Sequence, residues 1–174
     1  ARSLYGHAAA AGASAIGAVF FREIDTNGDN EGTPGVIDPE SFSALGGQIP
    51  IYYNGNGLEL PEPEFRSKPN FSAPDGTNTT FFGQPGVPDG DDFPNFFGTS
   101  AAAPHAAAVA ALLLSEHPSR TPIEVQAALE ANARDIFTPG PDDITGTGLI
   151  DILSTSEFLG SGGGEIFFDS WIVK

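Results

Sequence analysis

The 174-residue chain carries 23 acidic against 7 basic side chains, a formal charge of −16, and contains neither cysteine nor methionine. Such a charge repels nucleic acid and anionic membrane, the lack of cysteine excludes disulfides and thiolate metal sites, and no run approaches the roughly 18 apolar residues of a membrane span. The length suits one domain with a real core, and no basic-then-apolar leader opens it.

The first 24 residues hold a small, apolar, partly β-branched run over 11–21, predicted as a buried strand. Asp25 to Gly32 places oxygens at alternate positions, as calcium loops do. Asn30 and Val36 stand where an EF-hand needs Gly and a bidentate Glu, so a solvated turn is the favoured reading and structural calcium the lesser one. Residues 48–53 predict a short strand, set at an edge by Pro50. Another strand is expected around Phe71. Residues 84–98 are dense in Gly, Pro and Asp and predict a surface loop. Its Asp89-Gly90-Asp91-Asp92 run reads as solvated charge in preference to a cation site.

Helices follow. One is expected from Ser100 to about His117. Thr121-Pro122-Ile123-Glu124 combines a capping box with Pro at the first helical position, opening a helix to about Ile136. Ile123, Ala127 and Ala131, with Val125 and Leu129, are expected to form its core stripe. A last helix is predicted from Leu149 to Phe158. Gly160 to Gly164 reads as a flexible linker, and Phe167 to Val173 either begins a strand of a following module or packs back. The expected organisation is therefore one unit over 1–159 and a linker with tail over 160–174. No phosphate-binding Gly loop and no zinc spacing occur.

The most informative stretch is Gly98-Thr99-Ser100-Ala101-Ala102-Ala103-Pro104-His105, set between the loop and the apolar run Ala106 to Leu114. It presents a hydroxyl at a helix N-terminus, where the leading N–H groups lack helical partners and the dipole is positive. A serine nucleophile needs that setting, because preset donors must meet the oxyanion it creates. Thr and Ser are also preferred N-caps, which alone accounts for Thr99 or Ser100.

The octapeptide resembles the nucleophile motif of the subtilisin-like serine peptidases, the subtilase family. Four further blocks resemble that family in its own order: Gly12 to Val19, Ser41 to Gly46, Lys68 to Gly76, and Gly146 to Asp151. The resemblance implies an α/β fold, a partial three-layer arrangement with a mostly parallel sheet and flanking helices. It implies Ser100 as the catalytic nucleophile of a serine endopeptidase acting through an acyl-enzyme, with Tyr5, Gly6 and Thr99 in contact with a peptide or protein substrate and no cofactor. The family's Asp, His and oxyanion Asn blocks have no counterpart, so the chain is expected to be the C-terminal part of a catalytic domain, inactive alone. Ala at position 1 and the lack of Met fit a fragment or processed product. A structural or interaction module that keeps the fold is the alternative.

The chain's own histidines are poor substitutes for the missing base. His105 follows Ser100 by five residues and points about 140° away around a helix. His117 is about 25 Å along it. His7 is not excluded by geometry, though a plain loop histidine is the simpler reading. The acidity fits solubility in a saline or extracellular medium, hence an extracellular or cell-surface setting. A truncated parallel sheet would also expose one apolar edge, which predicts a homodimer through the strand Ala13 to Phe21.

Overall fold

The computed structural model describes residues 3–24, 37–81 and 90–160. Its centre is a parallel pair, β1 (Ile16–Phe20) beside β4 (Phe71–Asp75), in register from Ile16 with Phe71 to Phe20 with Asp75. Between them in sequence runs an antiparallel hairpin, β2 (Gly47–Tyr53) and β3 (Glu59–Lys68). Two short strands, β5 (Thr77–Asn78) and β6 (Asn95–Phe96), pair antiparallel. Three helices follow: α1 (Thr99–Glu116), α2 (Pro122–Ala131) and α3 (Ile152–Leu159).

The parallel pair is the buried layer. Ala18, Val19 and Ala73 are wholly enclosed and Phe71 nearly so. A parallel strand covered on both faces reads as a continuous apolar run, which is how β1 and β4 read. α1 lies across them: Ala102 and Ala106 meet Ala18, Phe71 and Ala73 in one cluster that continues through Leu113 to Val125, Ala128, Leu129 and Leu159. Small side chains on both partners let helix and strand approach closely. Predicted strands 11–21, 48–53 and the one near Phe71, and the helix from Ser100 to His117, correspond to β1, β2, β4 and α1.

The edges of the pair are not open. Val19 bridges Pro39, the Glu40 N–H donates to the Ala18 carbonyl at 2.8 Å, and the Ala18 N–H donates to Ser43 Oγ at 3.0 Å. On the other side Ser72 pairs with Leu149, which pairs in turn with Arg134. On its outer side β1 is thus covered at Ala18 and Val19.

Three sequence expectations need correction. α2 ends at Ala131, not near Ile136, because the Asn132 side chain turns back to the Ala128 carbonyl at 2.8 Å and Arg134 is taken up in the bridge to Leu149. Its core face is Val125, Ala128 and Leu129, whereas Ile123, Ala127 and Ala131 are exposed. Position 125 lies about 200° from position 123 on a helix, so both sets cannot face one core. α3 starts at Ile152 with Asp151 as its cap, since Leu149 is committed to the sheet. The capping box at Thr121 and Glu124 forms as predicted: the Thr121 N–H donates to Glu124 Oε2 at 2.8 Å, and the Glu124 N–H donates to Thr121 Oγ1. Within the loop predicted over 84–98, Asn95–Phe96 forms β6. The segments Asp25–Gly32 and Ser161–Lys174 lie outside the described residues, as does Asp89.

Candidate active site

The site is assembled where β4 ends. Asp75 closes the strand, Gly76 turns the chain with φ 71°, and the chain returns through β6 to Gly98. A Cβ on Gly76 would sit 2.8 Å from the rings of Phe20 and Phe97, so only glycine lets the turn pack against that pair. Phe20 and Phe97 stack with centroids 5.6 Å apart, fixing the residue that precedes Gly98.

α1 then begins, and its first turn differs from the expected one. The N-cap is Gly98, with φ 115° and ψ 160°, and no side chain caps the helix. Thr99 and Ser100 are its first two helical residues, so neither hydroxyl is spent as an N-cap. The carbonyl of Gly98 accepts the N–H groups of Ala101 at 2.8 Å and Ala102 at 3.1 Å. The Gly98 N–H donates to Asp75 Oδ2 at 2.7 Å. Among the described residues no acceptor meets the N–H groups of Thr99 and Ser100. Ser100 is exposed and Thr99 half-buried. The result is an accessible hydroxyl beside two unspent donors at the positive end of an 18-residue helix.

Pro104 sits in the second turn and lacks the N–H that would bond the Ser100 carbonyl. The Pro104 ring is exposed, on the side of the helix away from the core contacts of Ala102 and Ala106.

The histidines lie where their spacing predicts. His105 is half-buried, its Nδ1 2.9 Å from the Ala101 carbonyl and its Nε2 3.4 Å from Thr77 Oγ1. It is engaged with backbone and Thr77, away from Ser100. His117 caps the far end of α1, buried, with Nε2 3.4 Å from Glu116 Oε2. His7 is exposed in a 3-10 turn over Gly6–Ala9. Tyr5 and Gly6, also exposed, belong to that segment, whose hydrogen bonds run to Leu45 and to Arg66. No hydrogen bond among the described residues joins Tyr5 or Gly6 to Thr99 or Ser100.

Asp75 is the residue that reading the sequence missed. It is wholly buried, and burial pushes its carboxyl above the ordinary range, while the Gly98 N–H and the nearby His105 act in the opposite direction. Glu40 shares this environment: burial raises its carboxyl first, and Asp75 and Glu23 add to the effect. The available signal was a carboxylate set between Pro74 and Gly76 at the end of an apolar strand. Asp91, from the acidic loop, has both oxygens engaged, by the Phe93 N–H at 2.7 Å and by Asn78 Nδ2. A cavity of about 270 Å³ lies elsewhere, around Lys68, Asn70, Glu130, Asp142 and Asp143. There the buried Lys68 ammonium donates to the Ala13 carbonyl and to Asn70 Oδ1 at 2.9 Å, tying β3 to the segment before β1.

The fold is thus α/β, with a small parallel layer under a helix that displays a serine at its start. Residues 44–148 match the subtilase family, and the chain belongs to that family. The subtilisin-like protease SBT2.3 of Arabidopsis thaliana is 35% identical over 100 residues, covering 48% of this chain and 11% of the plant protein. The crystal structure of fervidolysin from Fervidobacterium pennivorans, a keratinolytic enzyme related to subtilisin, superposes on 87% of this chain with a TM-score of 0.58 and 22% identity. The likeness to fervidolysin shows a shared fold, and the chain covers 20% of that protein. The chain therefore spans a small part of the length of either relative.

Proposed function

We propose that Ser100 is the nucleophile of a peptide-bond hydrolase. The observation that supports this most strongly is the exposed Ser100 hydroxyl beside the unspent Thr99 and Ser100 N–H groups at the start of α1. In this reading Ser100 Oγ attacks the peptide carbonyl, a histidine from outside this chain takes its proton, and an aspartate orients that histidine. The Ser100 N–H and an asparagine, also from outside, hold the oxyanion. Water then releases the acyl group. No metal or organic cofactor enters these steps. On the resemblance alone, Thr99, Tyr5 and Gly6 are assigned to substrate contact, the chain to the C-terminal part of a catalytic domain, and the protein to an extracellular or cell-surface setting. Among the described residues no helix is long and apolar enough to cross a membrane.

The second reading, a structural or interaction module, has one observation in its favour. His105 is engaged with the Ala101 carbonyl and Thr77, and His117 is buried at the far end of α1, so neither serves Ser100 as a base. The same observation underlies the expectation that the 174 residues alone do not hydrolyse peptides. Reaction of the intact protein with a fluorophosphonate probe separates the two readings. Labelling confined to Ser100 supports the hydrolase, and an unlabelled Ser100 in a folded intact protein supports the module.

A further inference from the structure

α1 starts on a glycine that offers no capping side chain, and β4 supplies the acceptor missing there. Asp75, the last residue of β4, receives the Gly98 N–H on Oδ2 at 2.7 Å. It is 0% exposed, and its Oδ1 has no hydrogen-bond partner among the described residues. An ionised carboxylate enclosed with half its acceptors unused costs stability. A neutral side chain would fill the space without that cost, so the carboxylate is retained for something other than packing. Its placement says what. The bond it accepts is at Gly98, two residues before Ser100, and a charged acceptor opposite a helix N-terminus makes a short, strong bond. The neighbouring Phe97 is fixed independently by Phe20 and the Gly76 turn. Gly98 itself has no side chain and φ 115°; its carbonyl is held by the Ala101 and Ala102 N–H groups, and on its N–H side the bond to Asp75 is the one that holds it.

We infer that Asp75 is a positioning residue for Ser100: by holding the Gly98 N–H it fixes the turn that aims the Ser100 hydroxyl and keeps the Thr99 and Ser100 N–H groups turned outward. The inference rests on reading Ser100 as the nucleophile. Asp75 is enclosed and touches no substrate, so its effect is on geometry. The titratable groups that face it are Glu40, from the segment bridged to β1, and His105, from α1.

Steady-state peptide hydrolysis by the intact protein tests this, with hydrogen exchange at the Gly98 amide as a readout independent of turnover. Asp75→Ala is expected to lower kcat by about 10- to 100-fold, the size of effect that a misplacement near 1 Å produces, with KM little changed. Its Gly98 amide exchanges faster. Asp75→Asn keeps an acceptor oxygen and is expected to restore most of kcat and the amide protection. Asp75→Leu, close in shape but without an acceptor, behaves as the alanine variant does and serves where that variant does not fold. Wild-type kcat in Asp75→Ala or Asp75→Leu overturns the proposal. An equal loss in Asp75→Asn overturns it too, because packing or charge would then be the cause. Failure of the nucleophile reading appears separately, as hydrolysis that survives Ser100→Ala, and removes the basis of this proposal as well.

Discussion

The β1–β4 pair and the β2–β3 hairpin differ in what covers them. β1 and β4 lie beneath α1 and are flanked by residues 39–43 and 149, so that nearly every side chain on them is enclosed. The hairpin is covered only near its base, where Ile49 and Lys68 are buried, and it carries Tyr52, Tyr53, Leu58 and Phe65 in the open. Stability in this chain is therefore concentrated in the layer that carries Ser100, and the hairpin is held by its own ladder and the Asn54 turn, whose Oδ1 accepts the N–H groups of Asn56 and Leu58. The proposed nucleophile, whose position would have to be fixed within a fraction of an ångström, sits on the packed region.

That contrast yields substitutions of graded size. Leu113→Ala, in the wholly enclosed part of α1, is expected to cost about 2–5 kcal/mol through lost burial and an unfilled cavity. Urea unfolding measures it, and a loss well under 1 kcal/mol would place the core elsewhere. Thr121→Ala removes one half of the capping box at α2 and is expected to cost about 1 kcal/mol in the same assay.

A smaller effect concerns the other half of that box. Hydrogen bonds from Thr121, backbone first, hold the Glu124 carboxyl below its ordinary value of 4.5. A carboxyl lowered in the folded state contributes stability that is present above its unfolded pKa and lost as pH falls through the folded one. Unfolding followed between neutral pH and about pH 3 should show a shallow acid limb that is smaller in Glu124→Gln than in the wild type. Equal slopes in the two would contradict the assignment. The smallest change is expected in the hairpin: Phe65→Ala, at 58% exposure, should alter stability by no more than about 0.5 kcal/mol. A loss as large as that of Leu113→Ala would mean that the hairpin face is covered in solution and would erase the contrast.

The same difference in burial decides what can be read from the amino acids. β1, β4 and α1 are legible because enclosure demands apolar or small residues at nearly every position. β3 is not, since Glu59, Glu62 and Glu64 alternate with Pro61 and Pro63 on an exposed strand that needs no apolar face. β5 and β6 are too short to carry a period of two, and the early end of α2 depends on a pairing between Arg134 and Leu149 that lies far apart in sequence. At the candidate site, Ser100 and the helix behind it are legible from Gly98 to His105. Gly98 as the cap is not, because Thr99 and Ser100 are each better capping residues by preference. Asp75 escapes notice because its role comes from a partner 23 residues away.

Fluorophosphonate labelling of the intact protein at neutral pH, with the modified residue located by mass spectrometry, tests the central claim most directly. Stoichiometric modification at Ser100, abolished in Ser100→Ala and not seen in the isolated 174 residues, is the result predicted. An intact, folded protein labelled at some other residue, or at none, would contradict Ser100 as the nucleophile.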